Sequence, residues 1–337
     1  MRLWKLASVR SSAIVLGGTV ALGVATAPVG GAASTAAVRS LPHIHVLPTL
    51  QQHADCLVIS TTCNGFGTPM TYGGGTIQAN PAVYIVFWGW NGVDPSGQAT
   101  YQQNFFNALG GTTFPASQTQ YCMGSGVNLA GTGCTSGPFV GNPAGVLKGT
   151  WTDNTNAVPS SPDDAAIQAE AARAAAHFGN TTTAANASTQ YIVDTPHGNS
   201  TSGFATSWCA YHGWSTADGG FSYTDFPYIT DAGSGCGQNF VNGGSAGNLD
   251  GVSIVGGHEY AESLTDPGVG ANSNFGWTDT SGAETGDKCA WIGTGPGAST
   301  DVSLGGSSYA VQSLWSNNAN SGAGGCVTFY ASASNQH

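Results

Sequence analysis

Positive charge is scarce in this sequence. Seven of its 337 residues are Lys or Arg, against 18 Asp or Glu. Three of the seven, Arg2, Lys5 and Arg10, precede an uncharged, mostly apolar run from Ala13 to Ala27, and small residues ending in GGAAS follow. A basic leader, a short apolar stretch and small residues are the pattern of a secretory signal, expected over residues 1–33 and too short to span a bilayer. Beyond it only Arg39, Lys148, Arg173 and Lys288 carry fixed positive charge. A chain this acidic has no basic stripe for phosphates, which argues against nucleic acid and anionic membrane surfaces as partners.

Other absences narrow the field. No later run is apolar enough to cross a membrane, so no transmembrane anchor is expected and the chain reads as secreted. No Cys-x-x-Cys pair suggests a thiolate zinc knot. No nucleophile elbow or triad pattern is recognised, so neither a serine nor a cysteine nucleophile is put forward. No repeat and no charged or Pro-rich linker divides the chain. Residues 34–55 read as a flexible lead-in or short pro-segment, and 56–337 as a single domain, expected to be monomeric.

The chain does have aromatic residues for a core and eight cysteines for staples. Nine Trp, eleven Tyr and thirteen Phe make disorder improbable. An even cysteine count in an exported protein favours disulfides, and the simplest pairing is sequential: Cys56–Cys63, Cys122–Cys134, Cys209–Cys236 and Cys289–Cys326. PAVYIVFWGW (81–90) reads as a buried strand, SGQATYQQNFFNALGG (96–111) as a helix stopped at Gly110, VLKGTWTDN (146–154) as a strand. SSPDDAAIQAEAARAAAHFGN (160–180) reads as a helix capped by Ser161 and ended by Gly179, and QYIVDTP (190–196) as a strand. SWCAYHGW and FSYTDFPYIT read as loops, and SSYAVQSLWS and GCVTFYAS as late strands. The interleaving predicts an α+β or three-layer α/β fold with a mixed sheet and disulfide-tied loops. HIHVLP could form a strand with His43 and His45 on one side, but nothing close in sequence completes a metal site around them.

Seven of the 18 acids fall between Asp250 and Asp287. Within VGGHEYAESLTDP, His258 and Glu262 stand four apart and share a helix face, Glu259 lies beside them, and Asp266 extends the stripe up to the Pro267 stop. Two ligands one turn apart with a carboxylate next to them is the arrangement of a metal helix whose carboxylate takes a proton from metal-bound water. The preceding glycines permit close approach of another element. The following run, GWTDTSGAETGDKCAW, offers Asp279, Glu284 and Asp287. Glu284, 22 residues after Glu262, is the expected third ligand, with Asp287 or Asp266 as substitute. The same run also reads as a calcium loop over 279–287, because oxygen ligands at short spacing among glycines suit a hard cation. His212, in SWCAYHGW, is a packed histidine or a distant ligand. One imidazole with two carboxylates would nearly neutralise a zinc ion and weaken its pull on water, which leaves manganese, calcium or a structural role open.

VYIVFWGW, TSWCAYHGW, GGHEYAESLTDP and GWTDTSGAETGDKCAW together resemble the phosphate-induced protein 1, or EXORDIUM-like, family, above all its secreted bacterial relatives, from about Asn80 to Cys289. The resemblance implies an extracellular or cell-wall protein without a settled enzymatic activity. The helix motif also resembles a divergent zincin motif, which implies a zincin-like domain with His258 and Glu262 as ligands and Glu259 as base. Glu262 departs from the usual histidine, and Gly268 occupies the place of a third histidine. The expectation is therefore an exported zinc-dependent peptidase acting on an extracellular peptide or cell-wall-associated substrate. The alternative is a non-enzymatic EXORDIUM-like binding protein with a structural metal. A third option, an acid-adapted glutamic-type peptidase, rests on export, low charge and Gly/Ser/Thr richness alone.

Overall fold

The structure is a computed structural model, and its description covers residues 44–59, 67–199, 201–268 and 274–329, with the backbone only for 55–59. In chain order the main elements are β1 (Ile44–Pro48), α1 (Leu50–Ile59), β2 (Thr71–Tyr72), β3 (Ala82–Trp88), α2 (Gln98–Leu109), β4 (Leu147–Asp153), α3 (Asp164–His177) and β5 (Thr189–Asp194). They continue with β6 (Trp208–Ser215), β7 (Phe221–Phe226), α4 (Asp250–Thr265), β8 (Trp277–Thr278), β9 (Thr300–Leu304), β10 (Ser307–Val311), β11 (Leu314–Ser316) and β12 (Gly325–Val327).

Six strands make one mixed sheet in the order β1-β6-β7-β5-β3-β4. β7, β5, β3 and β4 run parallel, and β6 is antiparallel to both its neighbours. Parallel strands covered on both faces need side chains that tolerate burial at every position. β5 and β7 meet that demand, with no exposed residue in either. Alternation along the strands divides the two faces. On one, Tyr211 and Tyr223 donate to Asp164 at the start of α3, and Tyr191 donates to Asn186. On the other, Gln190 donates to the Glu259 carbonyl in α4, and Ser222 meets Ser263 at 3.1 Å. α2 lies beside α4, with Phe106 edge-on to Tyr260 and Tyr101 hydrogen-bonded to Ser253. The result is a mixed α/β structure with helices on both faces of the sheet.

Three local readings change. SWCAYHGW and FSYTDF are the central strands β6 and β7, not loops. Their Gly, Ser, His and Asp residues hid a stretch that is buried almost throughout. The cap of α3 is Asp163, not Ser161: its extended backbone turns the carboxylate onto the Ala166 N–H. β1 lies within the segment read as lead-in or pro-segment, and it pairs with β6 in the strand form that HIHVLP allowed. Three of the four expected disulfides are present, Cys122–Cys134, Cys209–Cys236 and Cys289–Cys326. The Cys56–Cys63 pair, like His43, lies outside the described residues.

Candidate metal centre

Helix α4 is buried along its whole length. A helix buried all round is normally apolar all round. This one buries His258, Glu259 and Glu262 completely. A Cβ added to Gly257 would come within 3.3 Å of Phe114, so the glycines before His258 do let neighbours approach closely. The helix ends at Thr265, and Asp266 is its C-cap, its N–H returning to the Glu262 carbonyl.

The sheet and the following loop complete the site. Register pairs His45 of β1 directly with His212 of β6, and both rings face α4. The two imidazoles are cross-strand neighbours, 6.1 Å between ring centres. Beyond β8 the chain returns through Gly286, whose backbone lies against the cluster. A Cβ there would stand 2.6 Å from His258 Nδ1 and 2.9 Å from Glu262 Oε1. This approach needs glycine, and it delivers Glu284 and Asp287. The Cys289–Cys326 disulfide ties down the turn that follows.

Glu262 is the hub. Its Oε1 lies 3.1 Å from His258 Nε2 and accepts the Asp287 N–H at 3.0 Å. Its Oε2 lies 3.6 Å from both His45 Nδ1 and His212 Nδ1 and has no hydrogen-bond donor. His212 also holds Glu259 Oε2 at 3.3 Å by Nδ1, and its Nε2 is 3.4 Å from Glu284 Oε2. His45 Nε2 lies 3.2 Å from Asp287 Oδ2. Three sets of ligand atoms each fit within 4.8 Å: His45, Glu262 and Glu284; His212, Glu259 and Glu262; His258, Glu262 and Asp287. Asp266 is at the edge, one oxygen bonded to the Gly276 N–H at 2.8 Å and the other without a donor.

The tautomer of His258 decides what this arrangement needs. Gln312 donates its amide N–H groups to the Gly286 and Ser313 carbonyls, so its Oε1 is left to accept. That oxygen faces His258 Nδ1 at 3.2 Å, which puts the hydrogen of the neutral ring on Nδ1. Nε2 then presents a lone pair to the Glu262 carboxylate at 3.1 Å. Two lone pairs at that distance require a proton or a cation between them. Without a cation, protons fill the gap: burial lowers the affinity of His258 for its proton, but Glu262, Glu259 and Asp287 overcome this and hold its pKa up at about 9. Asp287, Glu262 and Glu259 likewise outweigh burial at His45 and hold it at about 10. Burial opposes charge on Glu262, yet His258 and His45 keep it well below the usual carboxylate range. Glu284 goes the other way: burial first, then the charges of Glu262, Asp266 and Asp287, push it well above that range. Burial also raises Glu259, against the pull of His212 and His258.

Of the expected ligands, the structure gathers His258, Glu262, Glu284 and Asp287, with Glu259, Asp266 and His212 around them. Asp279 does not join these side chains, so the three acids of the 279–287 loop do not converge on one point. Lys288 Nζ sits 2.9 Å from Asp279 Oδ2 and holds it away. His45 is the residue that sequence reasoning weighed and set aside. Its partners are more than 160 positions distant, and only the pairing of β1 with β6 brings them together. The string Gly243–Gly247 does spell Gly-x-Ser-x-Gly, a match the sequence reading passed over, but Ser245 is exposed in a single 3-10 turn and not on a strand-to-helix elbow.

The cluster is enclosed. His45 and Asp287 reach solvent, at 23% and 14% of their side-chain surface, while the others do not. A groove of about 510 Å³ is lined by Tyr72, Gly75, Met123, Trp214, Gly268 and Asn274, and by none of the cluster residues. Trp214 is two residues beyond His212 on the same strand face, and Gly268 two beyond Asp266. Among the described residues no helix is long and apolar enough to cross a membrane. No family model, no curated protein and no solved structure matches this chain. The likeness to the EXORDIUM-like family rests on the quoted motifs alone.

Proposed function

We propose that this chain is an exported hydrolase that works through a divalent cation, zinc first among them, and that it is a peptidase of zincin-like build acting on extracellular peptides. One observation carries the reading: a neutral His258 would aim a lone pair at the Glu262 carboxylate, among further buried carboxylate oxygens that lack any donor. The residues fit a cation of borderline softness, since imidazole and carboxylate are both its usual ligands. A cation held here would acidify water and polarise a scissile carbonyl. His258, Glu262 and Asp287 would bind an ion, with His45, His212 and Glu284 in reach. Gln312 fixes the His258 ring from behind. Glu259 takes the proton at Oε1, which has no donor, while His212 holds its other oxygen. Burial raises its proton affinity, the direction a general base needs.

A second reading has its own support in the enclosure of the site. Structural zinc sites are closed, whereas catalytic ones keep an open position. A secreted or cell-surface binding protein, EXORDIUM-like and without catalysis, would use the same residues to hold a structural ion. Glu259→Gln, assayed with fluorescently labelled casein alongside elemental analysis, separates the two. The hydrolase reading expects a loss of about 10²-fold or more in turnover with the metal retained. Undiminished turnover removes Glu259 from the mechanism. A metal-bound wild type that cleaves no casein or ester supports the binding protein.

A further inference from the structure

We infer that the cluster holds two divalent cations bridged by the Glu262 carboxylate. The inference rests on the cluster being a metal centre, as proposed above, and goes beyond the single ion that the helix motif suggests. Glu262 turns its two oxygens to two different sets of ligands. Oε2 faces His45 Nδ1 at 3.6 Å, and Glu284 Oε2 lies 3.8 Å from the same nitrogen, so that His45, Glu262 and Glu284 form one ligand set. Oε1 faces His258 Nε2 at 3.1 Å, with Asp287 completing that set. A carboxylate with separate ligand groups on its two oxygens is the bridge of a two-metal site, whose ions stand about 3.5–4 Å apart.

Charge gives a second, independent argument. Five carboxylates, of Glu259, Glu262, Asp266, Glu284 and Asp287, meet three imidazoles. Among the described residues no fixed cation is hydrogen-bonded within the group: Lys288 Nζ is bound to Asp279 and acts on Asp287 only through its charge, Arg173 is bound to Glu170, and Lys148 to a carbonyl. One divalent ion on neutral imidazoles leaves the group at three negative charges, and two leave it at one. Glu284 is the member left stranded by a single ion in the His258, Glu262 and Asp287 set. It is fully buried, neither oxygen has a hydrogen-bond donor, and besides the His45 and His212 nitrogens its neighbours are carboxyls. A proton shared with Asp266 is the competing solution for Glu284, and it would take the place of the second ion.

The test uses the full secreted protein, stripped by chelator, saturated with manganese(II) or zinc(II), and passed through gel filtration. Elemental analysis is expected to find two ions per chain in the wild type and one in His258→Ala. Manganese(II) paramagnetic resonance, which needs no mutation, is expected to show the exchange-coupled spectrum of a bridged pair. One ion per chain with an isolated six-line signal overturns the inference and leaves the one-metal hydrolase standing. Two ions without exchange coupling, or two retained in His258→Ala, overturn the shared carboxylate. No retained ion overturns both this inference and the function proposed above.

Discussion

The two ends of one acidic loop solve the same problem in opposite ways. Asp279 and Glu284 are five residues apart and both buried. Asp279 Oδ1 accepts the Ser281 and Ala283 N–H groups and the Ser281 hydroxyl, and Oδ2 accepts from Thr68 and from Lys288 at 2.9 Å. Burial alone would raise its pKa, but Ser281 and Lys288 outweigh burial and lower it. Lys288 in turn lies 4.3 Å above the Trp315 ring. Glu284 has no donor at all and is pushed the other way. Burial therefore does not mark the candidate site. A buried carboxylate whose charge the protein answers itself is structural. One whose neighbours are further carboxylates and lone-pair nitrogens needs something the chain does not supply.

The contrast can be broken at either end. Lys288→Met should have the largest effect, about 3–5 kcal/mol of stability lost to chemical denaturation, because it strands a buried Asp279. That loss should be the same with and without added metal. Chelation should act on the other end: at a free metal level 100 times the dissociation constant, the ion contributes about 2.7 kcal/mol, seen as a fall in melting temperature. Glu262→Ala should abolish this chelator effect, and Asp279→Asn should leave it intact. Gln312→Leu should weaken metal binding by about 10–100-fold in a competition titration, through loss of His258 orientation. The smallest effect is on pH dependence. Asp279 has a depressed pKa, so its contribution is present above its ordinary value of 3.8 and is lost as pH falls through the lowered value. Asp279→Asn should flatten that acid limb of the stability curve, and an unchanged slope would show that Asp279 is not held as described.

Much of this was legible in the sequence. The run AVYIVFW is a strand because apolar residues on both faces have few other uses, and QATYQQNFFNAL shows its helical period. The His258–Glu262 spacing put two site residues on one helix face without any tertiary information. β6 and β7 were not legible, because a buried strand carrying Gly, Ser, His and Asp has the composition of a loop. The same gap concealed His45: its value depends on register with His212, and strand pairing across the chain leaves no local signal. Asp279 misled for the converse reason. Spacing placed it with Glu284 and Asp287, but Thr68, Ser281, Ala283 and Lys288 take up its oxygens.

The most direct test of the central claim is a crystal grown from the secreted protein with zinc supplied, and an anomalous difference map collected across the zinc absorption edge. The account predicts edge-dependent density in the space bounded by Glu262, Glu284, His45 and His258, and none beside Asp279. Density beside Asp279, or none within the cluster at full zinc saturation, would contradict it.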